Sequence, residues 1–313
     1  MVKRMSKPVK FGPPVSTFGF GLLMGTADAV PGVSGGTIAL ILGIYRKLIS
    51  SISACLFFVK EKFPSHSRTE FTSAFNFLFP LACGMLGSYY VVTKILVGPD
   101  DSPGLLRQAS TGPYVFSFFS GLVLFSVREP WKFVSSPETK HYVLAVAGIS
   151  IILVYYSLIL DTGDDSMAWF IVGGALASTA MLLPGISGAL VLLTLGQYTV
   201  IASSFHGGDI EPFMYLVLGG IIGVIVFVPC MNYMMVKYLD TTMALLTGLM
   251  CGSLITLWPW KESYHEGGLS PNLPISQVIE YFTVVSIFLT FLFFVAGIAF
   301  FYGLKYMEPQ IKI

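Results

Sequence analysis

Charge is what this chain has least of. Only 11% of its 313 residues are Asp, Glu, Lys or Arg, against roughly a quarter in soluble proteins. Apolar residues make up 54%, with 26 Phe and 15 Tyr among the aromatics. A soluble fold could not cover its surface with so few charges. The net charge of +1 excludes a nucleic-acid binder driven by phosphate neutralisation, and the wealth of apolar side chains excludes intrinsic disorder. Cysteine and histidine are equally scarce. Cys55, Cys83, Cys230 and Cys251 stand singly in or beside apolar runs, and His66, His141, His206 and His265 lie apart in polar stretches. Neither a disulfide framework nor a metal site is expected, and no cofactor is implied. The apolar segments also hold no paired His, no HExxH and no Arg-plus-His cluster. A membrane enzyme such as a lipid phosphatase needs such a set, so the chain is not expected to be an enzyme.

Lys3, Arg4, Lys7 and Lys10, an apolar run and Ala27-Asp28-Ala29 imitate a signal peptide with its cleavage site. The same kind of segment recurs in mid-chain, where no signal could stand, so no cleavage is expected.

Eight apolar stretches can be marked: 15–45, 75–97, 112–127, 141–160, 167–201, 213–236, 241–258 and 280–304. Most have the roughly 17–25 residues that carry a helix across a bilayer, which predicts an all-α polytopic membrane protein. Two do not fit one span. The stretch 167–201 would be ~52 Å long as one helix and is broken by Pro184-Gly185; 15–45 is broken by Pro31-Gly32. Each is too long for one crossing and short for two, so each is expected to be a re-entrant hairpin of two half-helices. Irregular backbone at membrane depth survives only where protein or a wet cavity satisfies it.

The chain also repeats itself. AVPGVSGGTIALILGIY (29–45) aligns with LLPGISGALVLLTLGQY (182–198) at a constant offset of 153. Phe77, Gly84 and Gly87 match Phe213, Gly220 and Gly223; Gly121-Leu122 matches Gly248-Leu249; Pro130-Trp131-Lys132 matches Pro259-Trp260-Lys261. This is a tandem duplication, with repeats at 1–160 and 161–313, each a hairpin plus three spans. Loop charges orient them. With the N-terminus cytoplasmic and each hairpin returning to its own side, 15 of the 18 Lys and Arg face the cytoplasm, leaving Lys94, Arg107 and Lys261 outside. Asp100, Asp101, Asp161, Asp164, Asp165, Asp209 and Glu211 make the outer loops acidic. Three spans per repeat is an odd number, so the second repeat enters from the opposite face. The expected topology is N-in and C-in, with inverted repeats of the transporter kind.

A half-helix that starts inside the membrane presents unpaired N–H groups and a partial positive charge. Glycines let an anion approach that backbone, and hydroxyls add donors. Gly32, Ser34, Gly35, Gly36 and Thr37, with Gly185, Ser187 and Gly188, are therefore candidate anion-binding residues. Pro31 and Pro184 break the helices and are expected to start the second halves. Close helix packing is the plainer use of Gly and Ser in lipid. Two copies, each breaking an overlong segment, favour the anion site. Asp28 is the only formal charge inside either broken segment before Arg46. It is either the ion-coupling acid, for protons or sodium, or a cap on the second half-helix. The alignment pairs it with Met181. Arg46-Lys47 and Arg128 are expected to anchor helices at the cytoplasmic interface or to form a headgroup vestibule. Trp131 and Trp260 sit at span ends without assigned chemistry, and Tyr45 and Tyr198 are read as packing residues.

Through residues 25–45, the second motif at 182–198 and GLMCGSLITLWPWK (248–261), the chain resembles end to end the bacterial and archaeal polyprenyl-phosphate transporters of the PopT type. The resemblance implies a flippase of the bacterial inner membrane. It would return undecaprenyl phosphate from the outer to the cytoplasmic leaflet for cell-wall and surface-glycan synthesis. It carries the phosphate site onto Asp28, Pro31, Gly32, Ser34, Gly35, Gly36, Thr37, Pro184, Gly185, Ser187 and Gly188. It also implies a re-entrant plan like that of the DedA-type transporters. Where the first motif has Gly36-Thr37, the second has Ala189-Leu190, so the hairpins are not chemically equal. An inorganic-anion channel or exchanger would use the same helix ends and is the alternative. The partners implied are the lipid phosphate, the bilayer and a coupling proton or sodium ion. The oligomeric state is left open.

Overall fold

A computed structural model describes residues 14–60, 68–98, 102–157, 166–205, 209–264 and 270–307. The N-terminal cations, Lys62, Lys312, Asp100, Asp101, Asp161, Asp164, Asp165, His66, His206 and His265 lie outside the described residues. The chain is all-helical in the described parts. α1 (Pro14–Asp28), α2 (Gly35–Ile41), α3 (Tyr45–Lys60) and α4 (Arg68–Leu96) are followed by α5 (Gly112–Ser126), α6 (Arg128–Trp131) and α7 (Thr139–Ser157). Then come α8 (Met167–Leu182), α9 (Gly188–Thr194), α10 (Tyr198–Phe205), α11 (Glu211–Lys237), α12 (Leu239–Ser253), α13 (Ile275–Tyr281) and α14 (Val284–Met307). Four of these, α4, α7, α11 and α14, are long and apolar enough to cross a membrane, and α2 with α3 forms a fifth apolar unit bent by 118°.

The expected stretches carry helices, with three differences. Of the six expected full spans, those at 112–127 and 241–258 are α5 and α12, 15 residues each, and are not among the helices long enough to cross. Each broken segment carries a third piece, α3 or α10, after its half-helices. α4 also begins at Arg68, ahead of the expected start at 75. Its first turn, Arg-Thr-Glu, is polar, so hydropathy locates only the later part. α4 and α11 hold internal prolines, Pro80 and Pro229, as membrane helices tolerate when neighbours satisfy the freed carbonyl.

Packing follows one pattern twice. α1 lies along α4 and α8 along α11; α5 lies along α14 and α12 along α7. Backbones touch where glycines allow it. A Cβ on Gly84 would strike the α1 backbone at Phe18 and Leu22, and one on Gly219 the α8 backbone at Ile171. Such small-residue contacts drive association in lipid, where hydrophobic burial gives little. The core gathers around α2, buried throughout, and α12, where ten of 15 residues are buried. The long helices instead expose Phe288, Phe291, Val226 and Leu86 outward. The protein is thus apolar both in its core and on the outer faces of its long helices, as a bilayer-embedded bundle is.

Candidate functional site

Both helix breaks turn on a glycine with φ of 90°, Gly32 and Gly185, a conformation a side chain would strain. α12 and the turn after it back both. A Cβ on Gly185 would lie 2.8 Å from the Met250 backbone, and one on Gly32 would strike the Thr256 hydroxyl. Pro31 and Pro184 sit in these turns, ahead of α2 and α9. This corrects the expectation that they start the second half-helices: glycines occupy those first positions, and the prolines instead stop α1 and α8.

The first break is capped by its own chain. Ser34 is extended (φ −126°, ψ 137°) and accepts a hydrogen bond from the Gly36 N–H at 3.1 Å. Asp28 folds back so that Gly35 N–H donates to its Oδ1 at 2.6 Å. A Cβ at position 35 would lie 2.5 Å from Asp28 Oδ2, so only glycine admits the carboxylate. The acid thus sits against the positive end of α2, where helix dipole and free donors favour an anion. Asp28, Ser34 and Thr37 are all buried. Of the two roles the sequence allows Asp28, capping is therefore present in the geometry.

The second break differs. Ser187 has a similar extended backbone (φ −97°, ψ 127°) but makes no side-chain cap bond. Where Asp28 meets Gly35, Met181 meets Gly188: a Cβ there would lie 2.5 Å from Met181 Cγ. Among the described residues no carboxylate answers the start of α9.

The two breaks are tied to each other. Ser34 Oγ lies 3.2 Å from the Met181 carbonyl and 3.1 Å from that of Leu183, and can donate to one at a time. Tyr45 OH donates to the Leu182 carbonyl at 2.8 Å. Gly185 N–H donates to Thr37 Oγ1 at 3.2 Å. The carbonyls orphaned at the end of α8 are thus satisfied by hydroxyls of the first hairpin, and a Cβ on Gly36 would lie 3.2 Å from Pro184 N. Ser34, Gly36, Thr37 and Gly185 therefore meet directly, with Gly35, Ser187 and Gly188 on the adjoining helix starts.

The basic candidates lie elsewhere. Arg46 and Lys47 belong to the first turn of α3, with Lys47 Nζ 6.0 Å from the Phe77 ring centroid. Arg128 sits on α6, its Nε 3.8 Å from Glu129. Sequence reasoning missed the Tyr45 bond, for which the recurrence of Tyr45 as Tyr198 was the available signal. It also missed the burial of Glu129, which precedes the first Pro-Trp-Lys copy, and of Lys261, which ends the second.

A family model described as VCA0040-like, undecaprenyl phosphate translocase-like, matches residues 24–268. A polyprenyl-phosphate transporter of Vibrio cholerae is 31% identical over 269 residues, 84% of this chain and 84% of the relative. One of Staphylococcus aureus is 31% identical over 264 residues, 76% of this chain and 84% of the relative. No solved structure matches the chain.

Proposed function

Because the chain belongs to the undecaprenyl phosphate translocase-like family, we propose that it is a flippase and not an enzyme. It returns undecaprenyl phosphate from the outer to the cytoplasmic leaflet of the bacterial inner membrane, for reuse in cell-wall and surface-glycan synthesis. The observation that carries this reading is the buried junction where Gly185 N–H meets Thr37 Oγ1 and Ser34 meets the end of α8. A lipid phosphate needs an anion site between the leaflets and a lateral path for its apolar tail. The start of α2, set against the turn of the second break, supplies the first; helices with apolar outer faces border the second.

In this reading Gly32, Ser34, Gly35, Gly36 and Thr37, with Gly185, Ser187 and Gly188, form the phosphate cradle, and Pro31 and Pro184 hold it open. Gly35 N–H is occupied by Asp28, so an arriving phosphate competes with that carboxylate. Protonating Asp28 removes the competing charge. A proton therefore accompanies the lipid inward, and sodium bound at the freed carboxylate is the other coupling ion. The repeats, 1–160 and 161–313, are inverted, with N- and C-termini cytoplasmic. Arg46, Lys47 and Arg128 form the cytoplasmic vestibule.

Leaflet-resolved transport of undecaprenyl phosphate by purified protein in liposomes, with pH and sodium varied separately, tests this. Transport that follows a proton gradient supports it. Inorganic-anion flux without lipid-phosphate transport replaces it with the channel alternative.

A further inference from the structure

Asp28 has a neighbour that the phosphate cradle does not use. α1 and α4 run side by side in the same direction: a Cβ on Gly21 would strike the Leu81 carbonyl, and one on Gly25 the Met85 carbonyl and the Ser88 hydroxyl. Carried one turn further, this register brings Asp28, at the end of α1, to the level of Ser88 and Tyr89. Tyr89 interacts electrostatically with both Asp28 and Tyr198, and Tyr198 with Arg107. Arg107 stands at the end of α4, since Gly104 N–H donates to the Val97 carbonyl at 2.8 Å and the turn Leu105–Arg107 follows at once. The repeats differ here twice over. The match of Gly87 with Gly223 pairs Tyr89 with Ile225, just as Asp28 is paired with Met181. The half that has the buried acid also has a hydroxyl at its level, and the other half has neither.

We propose that Tyr89 and Tyr198 are the route by which a proton from the outer side reaches Asp28; this rests on the coupling role and the topology given above. Asp28 Oδ1 is held by the Gly35 N–H, so Oδ2 is the oxygen that takes the proton. The Tyr89 O–H bond breaks as the Oδ2–H bond forms. Tyr89 regains a proton from Tyr198, and Tyr198 one from the outer water, so neither ring stays charged. The Arg107 charge eases the step by stabilising the negative charge that grows on the Tyr198 oxygen as its proton leaves. Approach from the other side is closed by α2, whose residues are all buried. α2 meets Asp28 with the Gly35 N–H and has no titratable side chain, and neither does α1 beyond Asp28 itself. Tyrosines near the ends of membrane helices commonly do no more than anchor at the interface. Tyr90 fits that use: it is 63% exposed, and Lys94 Nζ donates to its hydroxyl at 2.6 Å. Tyr89 is 37% exposed and stands within electrostatic reach of a buried carboxylate, which anchoring does not need.

The test is proton-driven transport of undecaprenyl phosphate in proteoliposomes, with binding of farnesyl phosphate measured alongside. Tyr89→Phe and Tyr198→Phe, which keep the rings, are each expected to lower the proton-driven rate by roughly tenfold or more. The double variant should lose no more than the worse single one, because both act in one route. Binding should be unchanged, since neither hydroxyl belongs to the cradle. Imidazole, a small proton carrier, should bring the slow variants back towards the wild-type rate in the same buffer. Tyr90→Phe should transport as wild type does. A wild-type rate in Tyr89→Phe overturns the route, and a loss at Tyr89 alone overturns the part given to Tyr198. A slow Tyr89→Phe protein that imidazole does not restore makes Tyr89 a packing residue and overturns the relay as well. A wild-type protein whose transport ignores the proton gradient, or an Asp28→Asn variant that still follows it, sinks the coupling reading beneath. A proton-driven wild type, with Asp28→Asn uncoupled and both tyrosine variants unaffected, sinks this inference alone.

Discussion

The backbone N–H of Gly35 donates to the carboxylate of Asp28 at 2.6 Å, seven residues back across the first helix break. A protein acid thus stands where an anionic substrate would be favoured. Asn in its place keeps a carbonyl oxygen for the Gly35 N–H but cannot titrate. Asp28→Asn is therefore expected to insert and to bind lipid phosphate, yet to lose the pH dependence of transport and most proton-driven accumulation. Proteoliposome transport across a range of imposed pH gradients checks this. Wild-type pH dependence in the variant would leave Asp28 a cap and nothing more.

The same bond makes a prediction about Gly35. A methyl group there would lie 2.5 Å from Asp28 Oδ2, so Gly35→Ala must expel the carboxylate or shift the turn. Loss of such a cap costs about 0.5–2 kcal/mol. Since Asp28→Ala breaks the same contact, the two substitutions should be strongly non-additive in thermal unfolding, as coupled neighbours are. Gly35→Val adds bulk at the start of α2 and should abolish lipid-phosphate binding. Additive costs, or normal affinity in a correctly inserted Gly35→Val protein, would place the anion site elsewhere.

Much of this was legible in the sequence, and the rest was hidden for identifiable reasons. Hydropathy located the apolar parts of α11 and α14, because an uninterrupted run of Val, Ile, Leu and Phe has few other uses. Pro31-Gly32 and Pro184-Gly185 marked both breaks, since proline and a left-handed glycine cannot continue a helix. α3 was hidden because Ser50, Ser51 and Ser53 dilute its hydropathy. The site residues could be named from their pattern, but not the bonds among them. Ser34 and Thr37 find partners near residues 181–185, 147 to 149 positions away. Nothing local signals that meeting. Lys305 reaching Glu129 is hidden for the same reason.

Tyr45 separates a latch from ordinary packing. Its hydroxyl satisfies the Leu182 carbonyl at 2.8 Å, and it is almost fully buried. The repeat alignment pairs Tyr45 with Tyr198 and Leu182 with Ala29. The corresponding bond from Tyr198 is absent among the described residues. Tyr45→Phe should then destabilise the protein by about 0.5–1.5 kcal/mol, with the larger cost if the carbonyl stays unsatisfied. Tyr198→Phe should cost little. Parallel thermal unfolding in detergent decides: equal losses would mean that the hydroxyls play the same part in both halves and that the tie is not one-sided.

Lys261 provides the pH test. It is 2% exposed, donates to Asn272 Oδ1 at 2.9 Å and stands 5.0 Å from the Phe116 ring centroid. Among the described residues no carboxylate pairs with it. It lies in the loop between α12 and α13, where burial pushes its pKa from the ordinary 10.5 down to about 7. An unfolded chain keeps the proton up to the ordinary value, whereas the folded chain gives it up near 7. Between those values the unfolded state binds more protons, so stability must rise with pH across that window. Below about pH 7 both states are protonated, and the cost of burying the charge is fully present. That cost is on the order of a few kcal/mol. Lys261→Met keeps an unbranched chain against Phe116 and removes the charge. The variant should therefore unfold at a higher temperature than wild type at pH 6, with the gap narrowing steadily towards pH 10. A gap that stays constant with pH would show that Lys261 is ionised throughout, held by its ring and its amide partner without loss of its proton.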